Sequence, residues 1–218
     1  MPVNSEPHQN TPLRLAILIL AAGEGSRLGG YPKALLKKDG DTLLKRFISS
    51  TQTLCPIETL VVTGFYSEKI EAEIQLLQQE IKSPITWVQN LNPAMGQSSS
   101  VRLGITSLKS DYDVLLIALC DQPNIGADEI DALLEQFNQL SKGQEIVLPM
   151  VNQQRGNPVL FSRRVMNQIL TTPEMVCRSY MDQHPEIVHG FITDNQAYVL
   201  DVDTLSDIQK LGLDSIES

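Results

Sequence analysis

Six consecutive apolar residues, Leu15-Ala16-Ile17-Leu18-Ile19-Leu20, end abruptly at Ala21-Ala22-Gly23 and open into a loop with glycines at 23, 25, 29 and 30. A strand that is apolar throughout, rather than at every second residue, has to be covered on both faces. That requirement favours a parallel sheet between two layers of helices over a one-sided antiparallel sheet. The loop after it carries Arg27 and closes with Pro32-Lys33. Bare glycine N–H groups and two cations at the end of a buried strand suit a polyphosphate.

The rest of the chain repeats the pattern. Apolar strands are predicted at 59–62, 86–89, 114–119, 146–149 and 158–161. Helical spacing is predicted at 41–54 with Asp41 or Thr42 as N-cap, at 67–81 with Ser67 as cap, and at 99–109 and 128–140. Beyond residue 160, helices are expected at 163–170, 174–182 and 204–211, and strands at 187–192 and 198–202. The alternation predicts a three-layer α/β fold, a mainly parallel Rossmann-like sheet with helices on both faces. Adjacent strands after residue 145 predict an antiparallel addition in the second half. Residues 1–12, polar and containing proline, are expected to be a disordered tail, and 13–218 one domain. In such a sheet ligands sit at the carboxyl ends of the strands. The loops at 21–33, 90–100 and 121–123 all follow strands, so they are expected on one edge.

A net charge of −9 argues against nucleic acid or an anionic membrane as the main partner, because both need broad basic surfaces. It leaves room for a small phosphorylated ligand. The three cysteines, Cys55, Cys120 and Cys177, form no C-x-x-C pair, and the first residues contain no signal-peptide core. A cytoplasmic protein with reduced thiols is the expectation.

Two familiar phosphate loops do not fit. A Walker A loop needs Gly-Lys followed by Ser or Thr, but Gly30 precedes Tyr31-Pro32 and Lys33 precedes Ala34. A dinucleotide fingerprint needs a third glycine at position 28, which is leucine, and the next strand ends at Thr63-Gly64 with no acid for a ribose.

Ala21-Ala22-Gly23-x-Gly25-x-Arg27-Leu28-Gly29, followed by Pro32-Lys33, resembles the signature loop of the nucleotidyltransferases, and most closely that of the MobA/MocA-like group. Four later segments resemble that group's motifs in the same order. They are Asn92-Pro93 with Gly96-Gln97-Ser98-Ser99-Ser100, Leu119–Pro123, Arg155-Gly156-Asn157-Pro158-Val159-Leu160-Phe161, and Leu200-Asp201-Val202-Asp203-Thr204 with Asp207. The resemblance implies a nucleotide-diphospho-sugar transferase-like fold. It also implies transfer of a nucleoside monophosphate from CTP to the phosphate of molybdopterin, with pyrophosphate released. A molybdoenzyme would then receive the product.

On that resemblance Arg27 and Lys33 are the catalytic cations, and Ala21, Ala22, Gly23, Gly25, Ser98 and Ser99 bind the nucleotide. Asp121 and Asp203 hold Mg²⁺, with Asp201 the alternative to Asp203, and Arg155 and Asn157 meet the acceptor. Simpler readings stand beside these roles. Asp121, Asp203 and Ser98–Ser100 could cap helices, Arg155 could be a turn residue, and Arg102 a solvated charge. Ala22, where the guanosine-using members carry glycine, favours the smaller cytosine. Pro173–Arg178 keeps only the arginine of the cytidylyltransferase-like stretch, and Asn157 stands in place of that group's histidine, so another nucleotide or phosphorylated acceptor remains open. A non-catalytic nucleotide- or cofactor-binding module is the reading from a different class.

Overall fold

The computed structural model describes residues 13–82, 84–172 and 175–214. The expected tail at 1–12 and the start of the helix expected at 174 lie outside them. Strands β1 (Leu15–Ala21), β2 (Lys37–Lys38) and β3 (Asp41–Thr42) precede helix α1 (Leu43–Thr51). Next come β4 (Glu58–Thr63), α2 (Ser67–Glu80), β5 (Ile85–Gln89), α3 (Gln97–Ser107), β6 (Val114–Leu119) and α4 (Ala127–Asn138). The second half has β7 (Ile146–Val151), β8 (Gln154–Arg155), β9 (Val159–Ser162), α5 (Arg163–Thr171), α6 (Cys177–Gln183), β10 (Val188–Ile192) and α7 (Leu205–Lys210).

The main sheet runs β10-β7-β9-β6-β1-β4-β5, with β8 paired to β7. β1 lies between β6 and β4 and is parallel to both, and β5 is parallel to β4. β9 is the antiparallel insertion, running against both β6 and β7.

Every residue of β1 is buried, and its alternate side chains enter different cores. Leu15, Ile17, Ile19 and Ala21 pack with apolar residues of α1, α2 and α4, including Leu44, Ile74 and Leu133. Ala16, Leu18 and Leu20 pack on the other face with α3, α5 and α6, including Ile105, Met166 and Tyr180. Each fully buried aliphatic side chain contributes about 1.5–3 kcal/mol relative to exposure, so the two helical layers hold β1 from both sides. The three-layer, mainly parallel fold and its antiparallel addition are as expected.

Some boundaries differ. Thr42 is the N-cap of α1, its hydroxyl accepting from Lys45 N at 3.0 Å. Ser67 does not cap α2 but is its first residue, and its hydroxyl accepts from Gln89 Nε2 at 2.8 Å. α3 begins two residues before the expected Ser99. The predicted strand at 198–202 is absent, because a 3₁₀ turn spans Gln196–Val199. The backbone there bonds loops instead of a ladder. Tyr198 O accepts from Asn157 N at 2.8 Å, and Val202 N donates to Asp121 O at 3.0 Å.

Candidate functional site

The loops after β1, β5 and β6 converge on one edge, where they line a cavity of about 650 Å³. The glycine-rich loop contributes Gly23, Glu24, Arg27, Pro32 and Lys33 to its lining. Gly25 has φ +63°, and a Cβ there would sit 2.1 Å from Tyr31 O, so only glycine fits. Gly25 O accepts from Leu28 N at 2.8 Å and Gly30 N at 3.1 Å, which closes the turn. Buried Leu28 packs with Leu36, Leu43, Val202 and Leu213 and ties the loop to the C-terminal segment. The Tyr66 hydroxyl donates to Glu24 O at 2.8 Å and braces the loop from the other side.

The charged groups gather around Lys33. Its ammonium lies 2.8 Å from Asp121 Oδ2 and 2.7 Å from Asp203 Oδ1. Lys33 and Asp121 are largely buried, at 19% and 17% side-chain exposure. Burial works against the charge on Lys33, but Asp121 and Asp203 outweigh it and hold the amine above its ordinary pKa. The hydrogen bond from Lys33, helped by Arg27 and opposed by burial, keeps Asp203 below the usual carboxylate range. Arg27 Nη1 reaches Asp203 Oδ2 at 2.9 Å from a side chain that is 70% exposed. Burial, together with the charges of Asp121 and Asp203, pushes Asp201 above the usual range. Asp201 lines the same cavity.

Asp121 Oδ1 is buried and has no hydrogen-bond partner. An orphaned carboxylate oxygen is costly unless something binds it. Among the described residues no group of three or more His, Cys, Asp or Glu side chains is placed to hold a metal. A hard cation such as Mg²⁺ takes one or two protein carboxylates and completes its shell with phosphate and water. Asp121 with Asp203 fits that need.

The second loop is built around Asn90, 6% exposed at the end of β5. Its Nδ2 donates to Ser99 Oγ at 2.8 Å and Ser100 Oγ at 2.9 Å, and its Oδ1 accepts from Asn92 N at 2.9 Å. Ser99 Oγ donates to Gly96 O at 2.8 Å. Ala21, Ala22 and Gly23 line the main cavity, as does Ser100, while Gly25 shapes the loop without lining it. Ser98 instead lines a second cavity of about 370 Å³.

That second cavity shares Leu20, Gln97 and Leu119 with the first. It contains Arg155, Asn157, Cys177 and Arg178 among apolar walls such as Leu148 and Phe161. Arg155 Nη1 is paired with Asp182 Oδ1 at 2.7 Å. Burial raises the Cys177 thiol to about 12, so it is neutral there.

Outside both cavities, Arg102 is not a solvated charge. Its guanidinium donates to the carbonyls of Ile169, Leu170 and Thr172 at the end of α5. The sequence assigns no role to Asn90, Phe65, Tyr66 or Gln122, although Asn90 is legible as the polar stop of β5. Gln122, whose Nε2 donates to Tyr198 O at 3.0 Å, left no sequence signal because its partner lies 76 residues away.

A model of the MobA-like NTP transferase domain matches residues 17–187. A bifunctional protein GlmU from Synechococcus sp. (strain JA-3-3Ab) is 26% identical over 177 residues, 81% of this chain and 27% of the relative. The chain thus spans about a quarter of the length of the curated relatives it matches. Rv0371c from Mycobacterium tuberculosis H37Rv superposes with a TM-score of 0.72 at 20% identity, covering 91% of this chain and 97% of the other. The same protein in complex with manganese gives 0.67 at 19% identity, covering 91% and 97%. A CMP:2-keto-3-deoxy-manno-octonic acid synthetase complexed with CTP gives 0.69 at 14% identity, covering 91% and 96%. At these identities the structural likenesses establish the fold. No helix among the described residues is long and apolar enough to cross a membrane.

Proposed function

The chain belongs to the MobA-like NTP transferase domain family and is by family a nucleotidyltransferase, and on that footing we propose that it transfers CMP from CTP to the phosphate of a molybdopterin-type acceptor. The observation that carries the reading is the Lys33 ammonium held between Asp121 and Asp203 beside the glycine loop. An acceptor phosphate oxygen attacks the α-phosphorus, the bond from that phosphorus to the bridging oxygen breaks, and pyrophosphate leaves. Both reactants are anions, so the protein's work is positioning and charge neutralisation.

In this reading the N–H groups after Ala22 meet the triphosphate. Arg27, exposed and able to swing from Asp203, takes the leaving pyrophosphate. Lys33 exchanges a carboxylate partner for the α-phosphoryl oxygens and stabilises the charge that grows there. Asp121 and Asp203 would hold Mg²⁺ through hard carboxylate oxygens, and the orphaned Asp121 Oδ1 is the atom that favours this. Such a cation, when bound, neutralises phosphate charge as a Lewis acid.

CTP is favoured by the Ala22 methyl, which lines the cavity and narrows the space beside the base. The second cavity adjoins the first, and its polar groups, arginines and apolar walls suit an acceptor with a heterocyclic ring body and a terminal phosphate. Arg155, Asn157 and Arg178 are the residues to meet it. Turnover of molybdopterin with each nucleoside triphosphate, read as pyrophosphate release and dinucleotide formed, tests the proposal. Lys33→Ala and Asp121→Ala are expected to lose at least 100-fold in rate, the scale of removing one electrostatic group from a transition state. If CTP binds but no pyrophosphate appears with molybdopterin or any other phosphorylated acceptor tried, the reading of a cofactor-holding module replaces this one.

A further inference from the structure

Phe65 is a large aromatic side chain, 44% exposed, that lines the main cavity. An isolated exposed apolar residue on an open surface needs no explanation, but one that lines a ligand cavity has a candidate partner. Its backbone is held on both sides. Before it, Gly64 is pressed against the end of β1, where a Cβ would meet Ala22 O at 2.6 Å and Ala22 Cβ at 2.8 Å. After it, Tyr66 is bonded to Glu24 O, and Ser67 N donates to Gly64 O at 3.3 Å. The ring is therefore presented from a braced turn.

The sheet order says which part of a nucleotide it faces. Across the carboxyl edge the strands run β6-β1-β4-β5. Asp121 follows β6, and Arg27 and Lys33 follow β1, so the charges lie toward one side. Phe65 follows β4, and Pro93, Ala94, Gly96 and Gln97 follow β5, all lining the same cavity with no charged group among them. Neighbouring strands are about 4.8 Å apart, so β6 and β4 are separated by roughly 10 Å. A triphosphate at the charged side leaves the base over β4 and β5.

We propose that Phe65 is the stacking platform for the nucleobase of the bound nucleoside triphosphate. This inference rests on the nucleotidyltransferase reading of the cavity. A rigid aromatic face loses little freedom on binding, and a stacked base places one ring on another. The contact serves any base by its π-face, so Phe65 supplies affinity while base choice belongs to neighbouring groups.

Calorimetric titration of the parent, Phe65→Ala and Phe65→Trp with CTP, GTP and inorganic tripolyphosphate tests it, with the magnesium concentration fixed. Phe65→Ala is expected to weaken the nucleotide that the parent binds most tightly by about tenfold, the scale of one lost base–aromatic stack. Tripolyphosphate affinity should stay within twofold, and Phe65→Trp should restore nucleotide binding. Equal weakening of tripolyphosphate, no weakening of the nucleotide, or failure of tryptophan to restore it would each overturn the stacking role. A parent that binds tripolyphosphate as tightly as any nucleotide has no base platform, which also overturns it. A parent that binds neither ligand overturns the nucleotidyltransferase reading and this inference together.

Discussion

Replacing Lys33 with alanine removes the cation on which the site's charge balance depends. Its ammonium makes two short charge-assisted bonds, 2.8 Å to Asp121 and 2.7 Å to Asp203. Bonds of this kind contribute about 1.5–3 kcal/mol each when shielded from water. Asp203 is 38% exposed, so its share is screened and nearer the roughly 0–1 kcal/mol of surface pairs. Asp121 is mostly buried and its other side-chain oxygen already has no partner, so its full share is lost. The expected destabilisation at neutral pH is about 2 kcal/mol. At 2–4 °C per kcal/mol for a chain of this size, the melting temperature should fall by about 4–8 °C.

The pH dependence has a definite sign. Lys33 has a raised folded pKa, so its contribution is complete below about 10.4, its unfolded value, and is lost as pH rises through the folded value. Asp203 has a lowered folded pKa, so its contribution is present above about 3.9 and is lost as pH falls through the folded value. The gap between parent and variant should therefore be widest between about pH 5 and 9 and should shrink in acid. Melting curves of both proteins at pH 7 and pH 3 measure it. A variant that melts within 1 °C of the parent at pH 7, or a gap that persists unchanged at pH 3, would show that this ion triad does not stabilise the sheet edge.

Three further outcomes follow from the packing. Gly64→Ala drives a methyl into Ala22 backbone atoms at 2.6 and 2.9 Å, so it should cost about 1–3 kcal/mol in a melt and weaken nucleotide binding by shifting the loop. Asn90→Ala leaves Ser99, Ser100 and Asn92 N without their partner. It should cost about 1–3 kcal/mol and speed amide exchange at the start of α3. Arg102→Ala removes three bonds to carbonyls at the end of α5, costing about 1–2 kcal/mol in a urea titration. Because Arg102 lines neither cavity, its KM for the nucleotide should stay unchanged.

The helices and parallel strands were readable because their signals are local. Leu43, Leu44, Phe47 and Ile48 recur at helical spacing and are all buried. Val114–Leu119 is apolar throughout because both its faces are covered. The segment at 198–202 misled for the same reason. Its composition suits a strand, but Asn157, Gln122 and Asp121 take its backbone groups, and none of these is near it in the chain. Ser98, Ser99 and Ser100 are consecutive, so the sequence alone does not separate them. On a helix they point in different directions, and Ser98 lines the second cavity while Ser100 lines the first.

By itself the sequence determined the alternation of elements, the two-sided burial of β1, and the chemistry of the loop that follows it. Those follow from residue type and short spacing, which act within a few turns of chain. Tertiary structure alone decided that Lys33 stands between Asp121 and Asp203, 88 and 170 residues away. It also decided that Asp121 keeps an oxygen without a partner, and that Phe65 faces the same cavity as the charges. Each depends on the order in which strands lie side by side, and that order is set by which apolar faces the whole chain can bury together.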